Sequence, residues 1–175
     1  MGQARLSRND WLSAGLEALR QDGPQALAAE PMARRIGTTK GSFYWHFKDV
    51  PDYHALLLEA WRGSALRRLS DQIGRSAPAE TRLRAFGEAI LDDPTEMRLR
   101  IWAQNHPPVA AALAEVDAER LTYLTLLLRE LGFGNAGFAR ALQAALVGLP
   151  QLAADPARRH ETLDTLIDTV LALAE

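Results

Sequence analysis

Cysteine is absent from this chain. That excludes a disulfide framework, a thiol nucleophile and a zinc-thiolate site. Lysine is almost absent: Lys40 and Lys48 are the only two, so eighteen of the twenty basic residues are arginine. Long apolar runs are missing too. None reaches the ~18 residues that a membrane span requires, and no membrane partner is expected. The N-terminal residues Met-Gly-Gln-Ala-Arg-Leu-Ser-Arg lack the apolar stretch of a signal peptide, so the expected compartment is the cytoplasm. Alternating Val, Ile and Thr runs are missing as well, so no sheet is expected. Aromatic residues number only twelve, yet Phe43, Tyr44, Trp45 and Phe47 fall within five consecutive positions.

What remains is helix-forming text. At 175 residues and 47% hydrophobic content the chain can bury a sizeable core, as one large domain or a small one joined to a larger one. The net charge of −2 hides an asymmetry. Residues 1–50 carry seven basic and five acidic side chains, and the remainder thirteen and seventeen. The first part is therefore mildly basic, which permits nucleic-acid binding.

The chain order predicts nine helices. The first covers 7–21, with Ser7 and Asp10 as a capping box and Gly23 suited to the left-handed position after the last turn. A short helix at 28–36 has Pro31 in its first turn and a weak cap in Ala28. Gly37 ends it, and Thr38 is placed to cap a third helix at 39–47. Two helices joined by so tight a corner have the dimensions of a helix-turn-helix, about 28–47. A fourth helix, capped by Asp49, runs to about residue 73. The others are expected at 80–91, 95–104, 108–131, 136–153 and 157–173. The last two are unusually apolar. Either they form the core of a second domain, or they pack on a second copy as a four-helix bundle.

On a helix over 39–47, Phe43 and Phe47 share one face and can anchor it against Leu16, Leu19 and Ile36. Lys40, Ser42, Tyr44 and His46 then stay exposed as donors and a cation, the types that DNA phosphates and base edges take. Trp45 either packs on the first helix or lies along the DNA backbone. Lys48 and the start of the fourth helix can hold a flanking phosphate.

The run Gly37-Thr38-Thr39-Lys40-Gly41-Ser42-Phe43-Tyr44-Trp45-His46-Phe47-Lys48 resembles the signature of the TetR family of bacterial transcriptional regulators. The similarity is strongest over 6–61. Residues 141–149 resemble the eighth-helix text of that family. The resemblance implies an all-α fold. A three-helix DNA-binding head (1–50) is joined by the fourth helix to a helical ligand and dimerisation domain (51–175). It implies Thr39, Lys40, Ser42, Tyr44, Trp45 and His46 as the DNA-facing set, with Lys48 on a phosphate. It implies a ligand-responsive repressor acting as a homodimer through 136–153 and 157–173 on a pseudo-palindromic operator in double-stranded DNA. The chain departs from the family at Val50-Pro51, where relatives often carry a lysine and an acidic residue. Phosphate contact there is expected only from the Val50 amide.

A small-molecule effector, apolar or aromatic rather than charged, is expected among Trp61, Phe86, Ile90, Met97, Trp102 and Tyr123, with Arg98 and Gln143 as polar handles. No cofactor is expected. His106 and His160 stand alone near loops, so no metal site is expected. No nucleophile elbow, phosphate loop or paired-histidine helix occurs, so no enzymatic activity and no catalytic residue is expected.

Overall fold

The computed structural model describes residues 6–152 and 155–173. Among the described residues there are nine α-helices and one 3-10 turn, and no strand. The helices are α1 (Arg8–Asp22), α2 (Ala29–Arg35), α3 (Lys40–His46), α4 (Val50–Ile73), α5 (Ala79–Leu91), α6 (Pro94–Ala103), α7 (Pro107–Glu130), α8 (Ala136–Leu152) and α9 (Pro156–Ala172). All nine expected helices are present. Residue 153, the expected last position of the eighth, lies outside the described residues. No described helix is long and apolar enough to cross a membrane.

Contacts divide the chain into two compact units, one of 1–64 with 98–113 and one of 65–97 with 114–175. The expected head boundary at residue 50 falls inside the first. Its local signals explain its shape. Ser7 Oγ accepts from the Asp10 amide at 3.2 Å, and Asp10 Oδ2 accepts from the Ser7 amide at 2.7 Å, closing the capping box of α1. The Ser7 amide foremost, and then the Ser7 hydroxyl, which also donates to Asp10 Oδ2 at 2.7 Å, hold the Asp10 carboxyl below the usual carboxylate range. Gly23 has φ +87° but ψ −176°, not the helical ψ expected of it. The chain therefore leaves α1 extended and makes an unexpected 3-10 turn at Pro24–Leu27. Ala28 is the N-cap of α2 and makes no side-chain cap bond.

The second unit is built round one apolar core. Leu83, Phe86 and Ile90 of α5 pack with Leu124 and Leu127 of α7, Leu142 and Leu146 of α8, and Leu163, Ile167 and Val170 of α9. Gly87 permits the approach: a Cβ there would lie 2.7 Å from Leu163 Cδ1. Only one face of α8 enters this core. Ala141, Ala144 and Leu152 are exposed, as is Leu173 beyond α9.

Candidate nucleic-acid interface and effector site

The corner between α2 and α3 is closed by backbone bonds. The Thr38 amide donates to Ala33 O at 2.9 Å and the Gly37 amide to Arg34 O at 3.3 Å. This is a Schellman closure with Gly37 at φ +70°, a conformation that glycine adopts without a Cβ clash. Thr39, not Thr38, caps α3: its backbone is extended and its Oγ1 accepts from the Ser42 amide at 3.3 Å.

One face of α3 is fixed by rings. Phe43 and Phe47 are both buried. The Trp11 ring meets them edge-on at 5.5 and 6.2 Å, and the Tyr53 ring lies 5.2 and 4.7 Å from them. Trp11 and Tyr53 thus supply aromatic walls, which the expectation of Leu16, Leu19 and Ile36 did not include. Tyr53 is itself located by its hydroxyl, which donates to Trp11 O at 3.1 Å from a buried position. Burial raises that hydroxyl's pKa well above its ordinary value. The hydroxyl sits where a side chain at position 15 would begin: a Cβ on Gly15 would be 1.9 Å from it. Arg8 completes the clamp. Its guanidinium donates to His46 O at 3.0 Å and stands 5.9 Å from the Phe47 ring centroid. Sequence reasoning missed Arg8, because nothing in local spacing ties residue 8 to residue 46.

The opposite face is open. Thr39, Lys40, Tyr44, Trp45 and Lys48 are exposed, and Ser42 and His46 half-buried. Trp45 is 83% exposed, so it does not pack on α1. Tyr44 keeps its ring edge-on to Phe43 at 5.3 Å, which holds its orientation while leaving 49% of it in solvent. An open groove of about 880 Å³ runs along Ser7, Thr38, Thr39, Ser42, Trp45 and His46. The start of α4 is already occupied by carboxylates. Asp49 Oδ1 accepts from the Asp52 amide at 2.8 Å, and Asp52 Oδ2 from the Lys48 amide at 3.0 Å.

The expected effector residues separate. Trp61 and Trp102 belong to the unit that holds the head, and Phe86, Ile90, Met97 and Tyr123 to the other. In the first, Trp102 lies 5.0 Å from His54 and 4.9 Å from His106, and the two imidazoles are 6.1 Å apart. His106 is thus not isolated, as its place in the sequence suggested. Burial, and then the neighbouring His106, lower the His54 pKa. Arg98 donates to Arg20 O and Gln21 O, each at 3.3 Å, so its head group is engaged at the end of α1. In the second unit, Phe86 meets Tyr123 edge-on at 5.6 Å, and Phe86 and Ile90 line a small void of about 20 Å³. Arg68, Gln72 and Arg120 line its polar side. Met97 is half-buried. Gln143 Nε2 donates to Asp117 O at 2.9 Å. No group of three or more metal-ligating side chains occurs among the described residues.

A ring-locked second helix of a helix-turn-helix, polar on its free face and carried on an all-helical chain, defines a helix-turn-helix protein of the regulatory type. Residues 12–49 match the sequence profile of the bacterial regulatory proteins, tetR family. Over 86 residues it is 34% identical to the transcriptional regulator AcuR of Cereibacter sphaeroides. That alignment covers 47% of this chain and 38% of AcuR, so well under half of that relative's length is matched. A TetR-family transcriptional regulator from Rhodococcus sp. has the same fold, with a TM-score of 0.76 at 20% identity, over 94% of this chain and 98% of that one. A transcriptional regulator from Saccharomonospora viridis, solved in complex with choline, gives 0.79 at 16% identity, over 92% and 95%.

Proposed function

We propose that the protein is a ligand-responsive transcriptional repressor that binds a pseudo-palindromic DNA operator as a homodimer. The observation that carries this is the two-sidedness of α3. Phe43 and Phe47 are buried on rings, while Thr39, Lys40, Ser42, Tyr44, Trp45 and His46 face a groove or solvent. A helix held so firmly on one side presents its other side in a fixed geometry, as base and phosphate recognition requires. Lys40 suits a guanine edge or a phosphate, Ser42 and Thr39 suit either, and Tyr44, His46 and Trp45 suit the backbone. Lys48 reaches a flanking phosphate with its side chain. The Val50 amide is a weak partner for that strand, because Asp49 already caps the start of α4 by accepting from the Asp52 amide, and both carboxylates put negative charge beside it.

The chain thus divides in function into a DNA-binding head at 1–50 and an effector and dimerisation body at 51–175. The exposed small and apolar residues of α8 and α9 are the face offered to the second copy. Phe86, Ile90 and Tyr123 are the centre of the effector site. The choline complex of a protein with this fold supports small-molecule binding in such a body. Helix α4 (Val50–Ile73) runs from the unit that holds the head into the other, and so is suited to pass a ligand-induced shift to the head. DNA binding places this activity in the cytoplasm.

The test is selection of fragments from the source genome by the purified protein, followed by mobility shifts at several salt concentrations. Retained fragments share an inverted repeat, and affinity falls as salt rises. Retention of no fragment would refute the reading and favour a helical interaction module.

A further inference from the structure

We infer that the effector is a small monocarboxylate with an apolar body, and that its carboxylate takes Arg120 in exchange for Glu96. The inference rests on the effector reading above and adds the chemistry of the ligand. It departs from the sequence expectation only in the head group, since an uncharged ligand is what the aromatic residues alone suggested.

The starting point is a buried ion pair beside a void. Arg120 of α7 is 6% exposed and Glu96 of α6 3% exposed. Their contact is bidentate: Arg120 Nη1 donates to Glu96 Oε1 at 2.8 Å, and Nη2 lies 2.7 Å from Oε2. Arg120 also lines the void, with Arg68 and Gln72 on its polar side and Leu69, Phe86 and Ile90 on its apolar side. At about 20 Å³ the void holds roughly one water molecule, so a larger ligand reaches Arg120 by displacing a group that now contacts it.

The ion pair decides which group leaves and what replaces it. A neutral or cationic ligand that pushed Glu96 away would leave the buried guanidinium with only the longer contact to Asp117 at 3.7 Å in place of its two-bond partner, which is unfavourable. A carboxylate reproduces the two-bond fork that Glu96 makes now. The exchange is one for one, so the charge of the site is unchanged, with Arg68 still paired to Asp93 at 2.7 Å and Asp117 3.7 Å from Arg120. Glu96 lies in the first turn of α6, where the helix dipole favours a carboxylate after release. Gln72 Oε1 is buried with no hydrogen-bond partner among the described residues. Turned about, that carboxamide offers N–H donors to an incoming carboxylate. The apolar body then rests on Leu69, Phe86 and Ile90.

The experiment is calorimetric titration and thermal shift of the full chain at matched ionic strength. The probes are sodium hexanoate and sodium benzoate against hexanamide, benzamide and choline chloride. The acids bind and raise the melting temperature, while the amides and choline do not. Glu96→Gln removes the internal competitor's charge and tightens benzoate by about tenfold, a gain that misfolding cannot imitate. Arg120→Met abolishes binding, and if that variant does not fold, Arg68→Gln weakens binding in its place. Failure of both acids to bind, or benzoate affinity unchanged or weakened in Glu96→Gln, overturns the proposal. Release of DNA by an amide or choline instead overturns the carboxylate inference and leaves the effector reading standing. DNA affinity that no member of a small-molecule library alters removes the effector reading itself.

Discussion

Replacing Gly15 by alanine sets two effects of opposite sign against each other. In a helix interior alanine is better than glycine by about 1 kcal/mol. Against that, the new Cβ would lie 1.9 Å from the Tyr53 hydroxyl and 2.9 Å from Leu57 Cδ1. The hydroxyl cannot retreat along its ring axis, because the ring is wedged at 5.2 Å from Phe43 and 4.7 Å from Phe47. Overpacking of this kind costs about 1–3 kcal/mol. Loss of the bond to Trp11 O adds about 1 kcal/mol. The net expectation is a loss of about 2 kcal/mol, or roughly 5 °C in melting temperature for a chain of this size. Urea and thermal unfolding followed by circular dichroism measure it. Tyr53→Phe separates the clash from the hydrogen bond. Alone it costs about 1 kcal/mol by removing the hydrogen bond. In the Gly15→Ala background it removes the clashing oxygen and restores stability. A neutral or stabilising Gly15→Ala, or a Tyr53→Phe change that costs the same in both backgrounds, would refute the account of how α1, α3 and α4 lock together.

Three further outcomes follow from named contacts. Gly37→Ala forces a Cβ into φ +70° with open space around it, so the cost is the backbone strain alone, about 1 kcal/mol; chemical denaturation reads it, and Gly37→Asn is milder. Arg8→Ala removes the bond to His46 O and the contact over Phe47; it lowers stability by about 1 kcal/mol and weakens DNA binding in mobility shifts, with Arg8→Lys intermediate. His160 has its pKa raised, first by the bond to Pro156 O and then by Asp92 at 3.1 Å. Its charged form is therefore the stabilising one. The advantage of the natural chain over His160→Ala is full below the unfolded value of 6.5 and shrinks as pH rises through the higher folded value, which melting curves across that range record.

Much of this was legible in the sequence because it is local. Ser7 and Asp10, or Asp49 and Asp52, announce helix starts within four residues. Gly37 announces a corner, and the i, i+4 pair Phe43 and Phe47 announces a buried face. Long-range partners were not legible in that way. Tyr53 reaches back to Trp11 and into the space left by Gly15, Arg8 reaches His46, and His106 meets His54, because tertiary packing rather than helical period sets those distances. The cap at Thr39 rather than Thr38 is a one-residue choice between two equivalent hydroxyls. The effector residues were chosen for being large and apolar. Of the residues that criterion gathered, Phe86, Ile90, Met97 and Tyr123 fall in one unit and Trp61 and Trp102 in the other. It passed over Arg120 and Glu96, since charged residues are rarely buried unless paired and the pairing cannot be read from spacing.

The central claim is that the free face of α3 is the DNA-reading surface. The most direct measurement is the dissociation constant for the selected operator of the natural chain beside Lys40→Ala and Tyr44→Ala, with the melting temperature of each taken in parallel. Both side chains are exposed, so the account predicts unchanged melting temperatures and affinities weakened by about tenfold or more, with a shallower salt slope for Lys40→Ala. Operator affinity that neither substitution alters would contradict it.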